Sequence, residues 1–287
     1  MFSGETKITG LFGDPVYHSL SPQIQNAAFQ AKDLDFMYIP FGVPSEDLAS
    51  AVRAILPLGL AGVNITAPHK EAVLVHLDEL SPEGEMLKAV NTVICKDKKL
   101  KGYNTDVDGF LYLLRNMAPF SVKGKKVCLL GAGGAARAVS LALAKAGASE
   151  LVIVNRTINR GKALLEMLCE RWFYKEEAVS LAPLKPEVFP QIISDCDLII
   201  NSLSIDPQEL GFINDCKKTE SLKAAIDLRY SPAEPSFLRW ASQNGCRVAN
   251  GLDMLLGQGA KAFELFTGQE APLSAMEKSL SVELARV

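Results

Sequence analysis

The sequence predicts an α/β protein of two domains. Short apolar runs alternate with amphipathic segments along most of the chain, the pattern of strands separated by helices in a largely parallel sheet. In the second half those runs are short and almost wholly apolar, as expected of strands buried on both faces. The length, 287 residues, suits two domains of ordinary size.

The elements follow in order. Residues 8–13 read as a strand. Ser21 and Pro22 fit a helix N-cap followed by proline at the first helical position, opening a helix to about residue 32. Residues 36–41 form a second strand. Ser45 is expected to cap a helix to about residue 56, with Leu48, Val52, Ile55 and Leu56 on its buried face. Residues 62–66 are a third strand, and 92–103 are two strands around the turn Lys96-Asp97-Lys98-Lys99. A second series of buried strands runs at 125–130, 151–154, 197–200 and 224–227. The chain from residue 252 onward reads as helical throughout. Pro119 and the polar residues around it mark a join near 116–123.

Composition narrows the function classes. With 48% hydrophobic and 22% charged residues, the chain can build substantial cores and is not of the disordered class. The net charge is −3 and the one notable basic cluster is the hairpin tip at 96–99, which gives no case for nucleic acid or a membrane surface. The six cysteines (Cys95, Cys128, Cys169, Cys196, Cys216, Cys246) show no metal or disulfide spacing, so no metal site is expected. The start Met1-Phe2-Ser3-Gly4-Glu5 lacks a leader pattern, and no apolar run approaches the ~20 residues of a membrane span. A cytoplasmic protein is expected.

Two ionisable residues fit no core pattern. Lys70 lies in Asn64-Ile65-Thr66-Ala67-Pro68-His69-Lys70 and Asp106 in Gly102-Tyr103-Asn104-Thr105-Asp106, each among small polar residues. A structural ion pair would explain them, and so would proton transfer. Downstream, Gly131-Ala132-Gly133-Gly134-Ala135-Ala136 satisfies G-x-G-x-x-G/A between a strand and a helix. Such glycines permit a tight turn and let backbone N–H groups reach a pyrophosphate at a helix N-terminus, the Rossmann-type arrangement. The next strand ends in Asn155-Arg156-Thr157, with Arg160 a turn further on. An NAD site places a carboxylate there for the ribose 2′-OH. Two guanidiniums suit a 2′-phosphate instead, so NADP(H) is the expected cofactor.

Together these motifs resemble the shikimate dehydrogenase family over nearly the whole chain. They occur in family order, beginning with His18-Ser19-Leu20-Ser21-Pro22 and the 64–70 segment, then Ala89-Val90-Asn91-Thr92, Asn104-Thr105-Asp106 and the glycine loop. Asn155-Arg156-Thr157, Asp227-Leu228-Arg229-Tyr230 and Gly251-Leu252-Asp253-Met254-Leu255-Leu256-Gly257-Gln258 complete the set. The resemblance implies NADPH-dependent reduction of 3-dehydroshikimate in aromatic amino acid and chorismate biosynthesis. It implies an N-terminal α/β substrate domain completed by C-terminal helices, residues 1–106 plus 252–287. A Rossmann-type NADP-binding domain, residues 107–251, lies between them in sequence.

The same resemblance assigns Ser19 and Ser21, helped by Tyr230, to the substrate carboxylate, and Asn64, Thr66, Asn91 and Gln258 to its hydroxyls. Gly131, Ala132, Gly133, Gly134, Ala135, Asn155, Arg156, Thr157, Arg160, Leu228 and Gly251 fall to the cofactor. Lys70 and Asp106 fall to catalysis, with Lys70 giving the proton and Asp106 supporting it. His18 and His69 are expected in supporting contacts and His76 on a surface helix. The chain departs from the family at Lys88, where glycine is usual, at Asn201-Ser202-Leu203-Ser204, and at Phe266, where Trp is frequent. Two other readings are a quinate/shikimate dehydrogenase using NAD or both cofactors, and a catalytically silent NADP-binding regulatory module. A monomer or a homodimer fits equally.

Overall fold

The structure, a computed structural model, describes residues 3–170, 173–211 and 220–284. Residues 1 and 2, which the leader reading uses, and Cys216 lie outside them. The chain divides into two compact units, residues 1–109 with 255–287 and residues 110–254.

The first unit opens with β1 (Lys7–Gly13), α1 (Ser21–Ala31), β2 (Phe36–Gly42), α2 (Leu48–Ala54) and β3 (Gly62–Ile65). It continues with β4 (Glu79–Leu80), α3 (Pro82–Leu87), β5 (Thr92–Lys96) and β6 (Lys99–Tyr103), and α4 (Asp106–Asn116) starts in it and runs on into the second unit. Its six strands form one sheet in the order β2-β1-β3-β5-β6-β4. The sheet is mixed rather than largely parallel, because β5 runs antiparallel to both β3 and β6. The cause is local. Asp97 and Lys98 take left-handed conformations (φ 51° and 59°), the tight hairpin geometry that turns the chain straight back. Phe12, Val52, Ile55, Val63, Ile65 and Val93 lead the core on one face of this sheet.

Three helix boundaries differ from expectation. Ser21 begins α1 instead of capping it, since Leu20 holds the cap position with no side-chain bond. Ser45 opens a short 3-10 turn, Ser45–Asp47, with α2 following only at Leu48. Because α2 stops at Ala54, Leu56 falls in the turn beyond it and is 37% exposed. Lys88 ends α3 in the left-handed region, φ 48° and ψ 42°. A side chain there costs about 1–2 kcal/mol and glycine does not, which accounts for the glycine usual at this position.

The second unit carries β7 (Lys126–Leu130), α5 (Gly134–Lys145), β8 (Glu150–Asn155), α6 (Ile158–Glu170), β9 (Val179–Pro183) and α7 (Phe189–Ser194). Then come β10 (Leu198–Asn201), β11 (Ala224–Asp227), α8 (Ser236–Gln243) and β12 (Arg247–Asn250). The strands form one wholly parallel sheet in the order β12-β11-β10-β7-β8-β9. β7, β10 and β11 are buried almost throughout, as their apolar runs predicted. The two edge strands were not predicted. β12 is exposed or half-buried along its length and β9 mixes Ser and Pro with its apolar residues, so neither shows an apolar run. The order reverses between β7 and β10, the switch point at whose carboxyl end open α/β sheets bind ligands.

The last segment returns to the first unit as α9 (Leu252–Thr267) and α10 (Leu273–Leu284). It is two helices, not one, because Gly268 (φ 72°) breaks the run. Phe29 of α1 lies 5.5 Å from Phe263 of α9, and Gln25 Nε2 donates to Gly259 O at 2.8 Å. A Cβ at Gly259 would come 2.5 Å from Ile24 Cδ1, so glycine sets this close approach. Among the described residues, no helix is long and apolar enough to cross a membrane, and no group of three or more His, Cys, Asp or Glu could hold a metal ion.

Candidate active site

In the first unit, Lys70 and Asp106 form an ion pair. Lys70 Nζ donates to Asp106 Oδ2 at 2.6 Å, with 20% and 6% of the two side chains exposed. The sequence places them 36 residues apart, and the sheet brings them together. Lys70 follows β3, and its carbonyl accepts from Val90 N at 2.8 Å. Asp106 is the first residue of α4, where the helix N-terminus favours negative charge. Its other oxygen, Oδ1, accepts from Asn91 Nδ2 at 2.8 Å. The carboxylate is thereby fixed at both oxygens and aimed at the ammonium.

Asn91 is the hub of this arrangement. It sits just before β5, is 3% exposed, and its Nδ2 also donates to Thr105 Oγ1 at 3.0 Å. Its Oδ1 accepts from Thr105 N at 2.7 Å and from Thr92 Oγ1 at 3.1 Å. Asn64 on β3 donates from Nδ2 to Thr92 Oγ1 at 2.9 Å and to Asn91 O at 3.1 Å, and accepts from Tyr38 O–H at 2.8 Å. Asn104 Oδ1 accepts from Asp106 N at 3.1 Å, which shapes the entry to α4. The amide groups expected to meet substrate hydroxyls are thus first engaged with one another, which fixes their orientation.

Tyr38, Thr92, Asn104 and Thr105 belong to this network; the last three fall within the sequence motifs without an expected role, and Tyr38 was not singled out at all. Tyr38 sits within an apolar strand run, where an aromatic residue reads as core. It is core, at 2% exposed, but its hydroxyl is used. Burial pushes the phenol's pKa well up, and a hydrogen bond with Ser21 opposes this only in part. Ser21, 7% exposed, therefore joins the same chain of polar groups as Asn64. Its backbone N–H donates to Ser19 Oγ at 3.2 Å. We expect Tyr38→Phe to lower unfolding free energy by about 1–3 kcal/mol, the cost of leaving Asn64 Oδ1 buried without its donor. Urea melts of the two proteins check this, and an unchanged midpoint would show that the bond contributes nothing.

The remaining candidates in this unit take supporting or more open positions. Thr66 N donates to Phe12 O at 2.9 Å, and a Cβ at Gly13 would strike Thr66 Cγ2. Gln258 on α9 is half-buried, with Nε2 donating to Leu255 O at 2.9 Å. His69 is 1% exposed and donates from Nε2 to Val43 O at 2.6 Å, the supporting contact expected of it. His18 is exposed and packs edge-on to Tyr17. His76 is half-buried in a short 3-10 turn, Ala72–His76.

In the second unit, β7 runs into the glycine loop and α5 leaves it. Gly131 has φ 110°, a conformation side chains rarely adopt, and a Cβ there would collide with Ser202 Oγ. Gly133 is exposed and caps α5 without a side-chain bond, and nothing lies within 4 Å of where its Cβ would be. The loop therefore leaves open space over the first turn of a 12-residue helix, a fit for a pyrophosphate approaching backbone N–H groups. Asn155 ends β8 and donates from Nδ2 to Thr157 O at 2.8 Å. Arg156 and Arg160 are exposed, and neither has a carboxylate partner among the described residues. Ser202, beyond β10, holds the wall opposite the loop through bonds from N and Oγ to Leu130 O at 2.9 and 2.5 Å. Leu228 N donates to Asn201 O at 2.9 Å, and Gly251 N to Arg229 O at 3.1 Å. Tyr230 is half-buried at the end of this segment.

Known proteins give the same answer along the chain. Residues 11–93 match the shikimate dehydrogenase substrate binding domain, 113–210 the shikimate / quinate 5-dehydrogenase family, and 251–280 the shikimate 5′-dehydrogenase C-terminal domain. The shikimate dehydrogenase (NADP(+)) of Methanopyrus kandleri is 42% identical, over 96% of this chain and 95% of its own. A crystal structure of a shikimate dehydrogenase in complex with NADP+ superposes with a TM-score of 0.87 at 35% identity, covering 99% of this chain and 98% of that one. The shikimate 5-dehydrogenase of Thermus thermophilus, in complex with NADP(H) and shikimate, gives 0.81 at 35% identity, with coverage of 96% and 99%. With the ordered motifs, the two sheets and these full-length likenesses in agreement, this chain belongs to the shikimate dehydrogenase family.

Proposed function

We propose that this protein catalyses the reversible NADPH-dependent reduction of 3-dehydroshikimate to shikimate. The observation that carries the reading is the Lys70–Asp106 pair, held at 2.6 Å within a buried amide and hydroxyl network in a chain of this family. In this reading residues 1–106 with 252–287 bind substrate and 107–251 bind the nucleotide. NADPH, when bound, supplies the hydride that reaches the ketone carbon. Lys70 gives its proton to the ketone oxygen, and in the reverse direction takes it back. Asp106 faces the ammonium at 2.6 Å and holds it in position. Asn91 and the start of α4 hold that carboxylate in place.

Ser19 and Ser21, beside the start of α1, hold the substrate carboxylate with Tyr230. Asn64, Thr66, Asn91 and Gln258 read the hydroxyls, which need groups able to donate and accept. Gly131, Ala132, Gly133, Gly134 and Ala135 carry the pyrophosphate. Asn155, Arg156, Thr157 and Arg160 take the adenosine end with its 2′-phosphate, and Leu228 and Gly251 complete the cofactor site. The test is NADP+ reduction by shikimate, followed spectrophotometrically, with quinate and NAD+ as alternative substrates. Turnover with shikimate and NADP+ at the highest kcat/KM supports the proposal. A higher kcat/KM with quinate and NAD+ would make this a quinate dehydrogenase, and tight NADPH binding without turnover would make it a silent nucleotide-binding module.

A further inference from the structure

Beyond the carboxyl ends of β10 and β11 lies a buried charge cluster to which the proposed reaction gives no role. Asp227 ends β11 with its side chain fully buried, and Asp206, in the segment after β10, is 6% exposed at its side chain. Arg229 grips both. Its Nε and Nη2 donate to Asp227 Oδ1 and Oδ2 at 3.0 and 2.6 Å as a planar fork, and Nη2 also reaches Asp206 Oδ2 at 3.2 Å. Burial works against the guanidinium's charge, but the two carboxylates outweigh it and raise its pKa.

Each carboxylate also organises backbone. Asp227 Oδ1 accepts from Arg229 N at 3.0 Å, and Asp206 Oδ1 accepts from Gln208 N at 2.9 Å. Asp206 Oδ2 faces Phe237 N, in the first turn of α8, at 3.5 Å. On the other side, a Cβ at Gly251 would collide with Leu228 O, so the end of β12 presses directly on the same segment. Three loops at one end of the sheet are therefore joined through Arg229 and its neighbours. A buried ion pair adds little net stability over an apolar packing of the same volume, because desolvation offsets its attraction. What it does supply is a fixed relation: the local fork to Asp227 sets the guanidinium plane, and Nη2 then ties that segment to Asp206, a geometry that a point-charge lysine could not reproduce.

We propose that Arg229 is a positioning residue of the nucleotide site. By holding Asp206 and Asp227 together, it sets the 202–206 segment, whose Ser202 abuts the glycine loop, against the 228–230 segment. This inference rests on the NADPH-dependent reaction proposed above. Two conservative variants test it in the full-length enzyme. Asp206→Asn removes only the charge on the loop side and leaves the Arg229–Asp227 fork intact. Arg229→Lys keeps a charge but loses the fork. Both are expected to fold, to melt cooperatively, and to raise KM for NADPH about tenfold with kcat changed far less, as loss of one charge-assisted bond predicts. A residue that served stability alone would lower the melting temperature and leave KM of the folded enzyme at room temperature untouched. KM for NADPH within about twofold of wild type in both variants would overturn the inference. Failure of the underlying reaction is distinguishable, since the wild-type enzyme would then show no turnover.

Discussion

Lys70→Ala is expected to lower kcat for shikimate oxidation by about 10²–10⁴-fold, the contribution typical of a positioned general acid or base. KM for shikimate should change little, since the proton transfer matters in the transition state rather than in binding. The variant should remain folded. The Lys70 side chain is 20% exposed, and Asp106 keeps its bond from Asn91 and its place at the start of α4. Asp106→Asn is the companion experiment. It keeps the shape of the site and removes the charge that faces the ammonium, so kcat should again fall. Steady-state kinetics near neutral pH decide the matter. A Lys70→Ala enzyme with kcat near wild type and only KM raised would make Lys70 a binding residue, and the acid–base assignment would fail.

Arg156→Ala should raise KM for NADPH by about 10–100-fold, because a charge-assisted bond to phosphate is worth about 1.5–3 kcal/mol. KM for NADH should stay nearly constant, since that cofactor lacks the 2′-phosphate. The position allows a clean experiment. Arg156 lies just past β8, is exposed, and holds no carboxylate among the described residues, so its removal disturbs no internal bond. Surface changes of this kind move stability by about 0.5 kcal/mol or less. Arg160, near the start of α6, should behave similarly. The measurement is kcat/KM with each cofactor. Equal losses with NADPH and NADH would show that Arg156 does not read the 2′-phosphate.

The two predictions concern residues that the sequence exposes in different ways. Arg156 was legible because it falls in a motif of local spacing, just past a strand whose partner strand carries the glycine loop. Lys70 and Asp106 were legible as anomalies, polar groups where the apolar pattern stops, and the family resemblance joined them. Tyr38 was not legible. It sits in an apolar strand like any core aromatic, and only the pairing of β1 with β2 and β3 shows its hydroxyl meeting Asn64. Arg229 appeared in the sequence as one residue of the 227–230 motif. Its grip on Asp206 crosses from one strand end to the next and has no local signature.

The sequence by itself determined which segments become buried strands, where the nucleotide loop lies, and which ionisable residues stand outside the cores. These depend on burial, periodicity and glycine's freedom at positions such as Gly131, all of which act over a few residues. The tertiary structure alone decided which strands neighbour one another in each sheet, the edge strands β9 and β12, and the hydrogen bonds that orient Asp106, Asn91 and Asn64. Those depend on which strand lies beside which, and a buried polar group takes its partner from whatever the fold brings within reach. The Lys70–Asp106 bond is of this kind: each residue was marked in the sequence, and the packing of β3 against β5 at the foot of α4 set their distance at 2.6 Å.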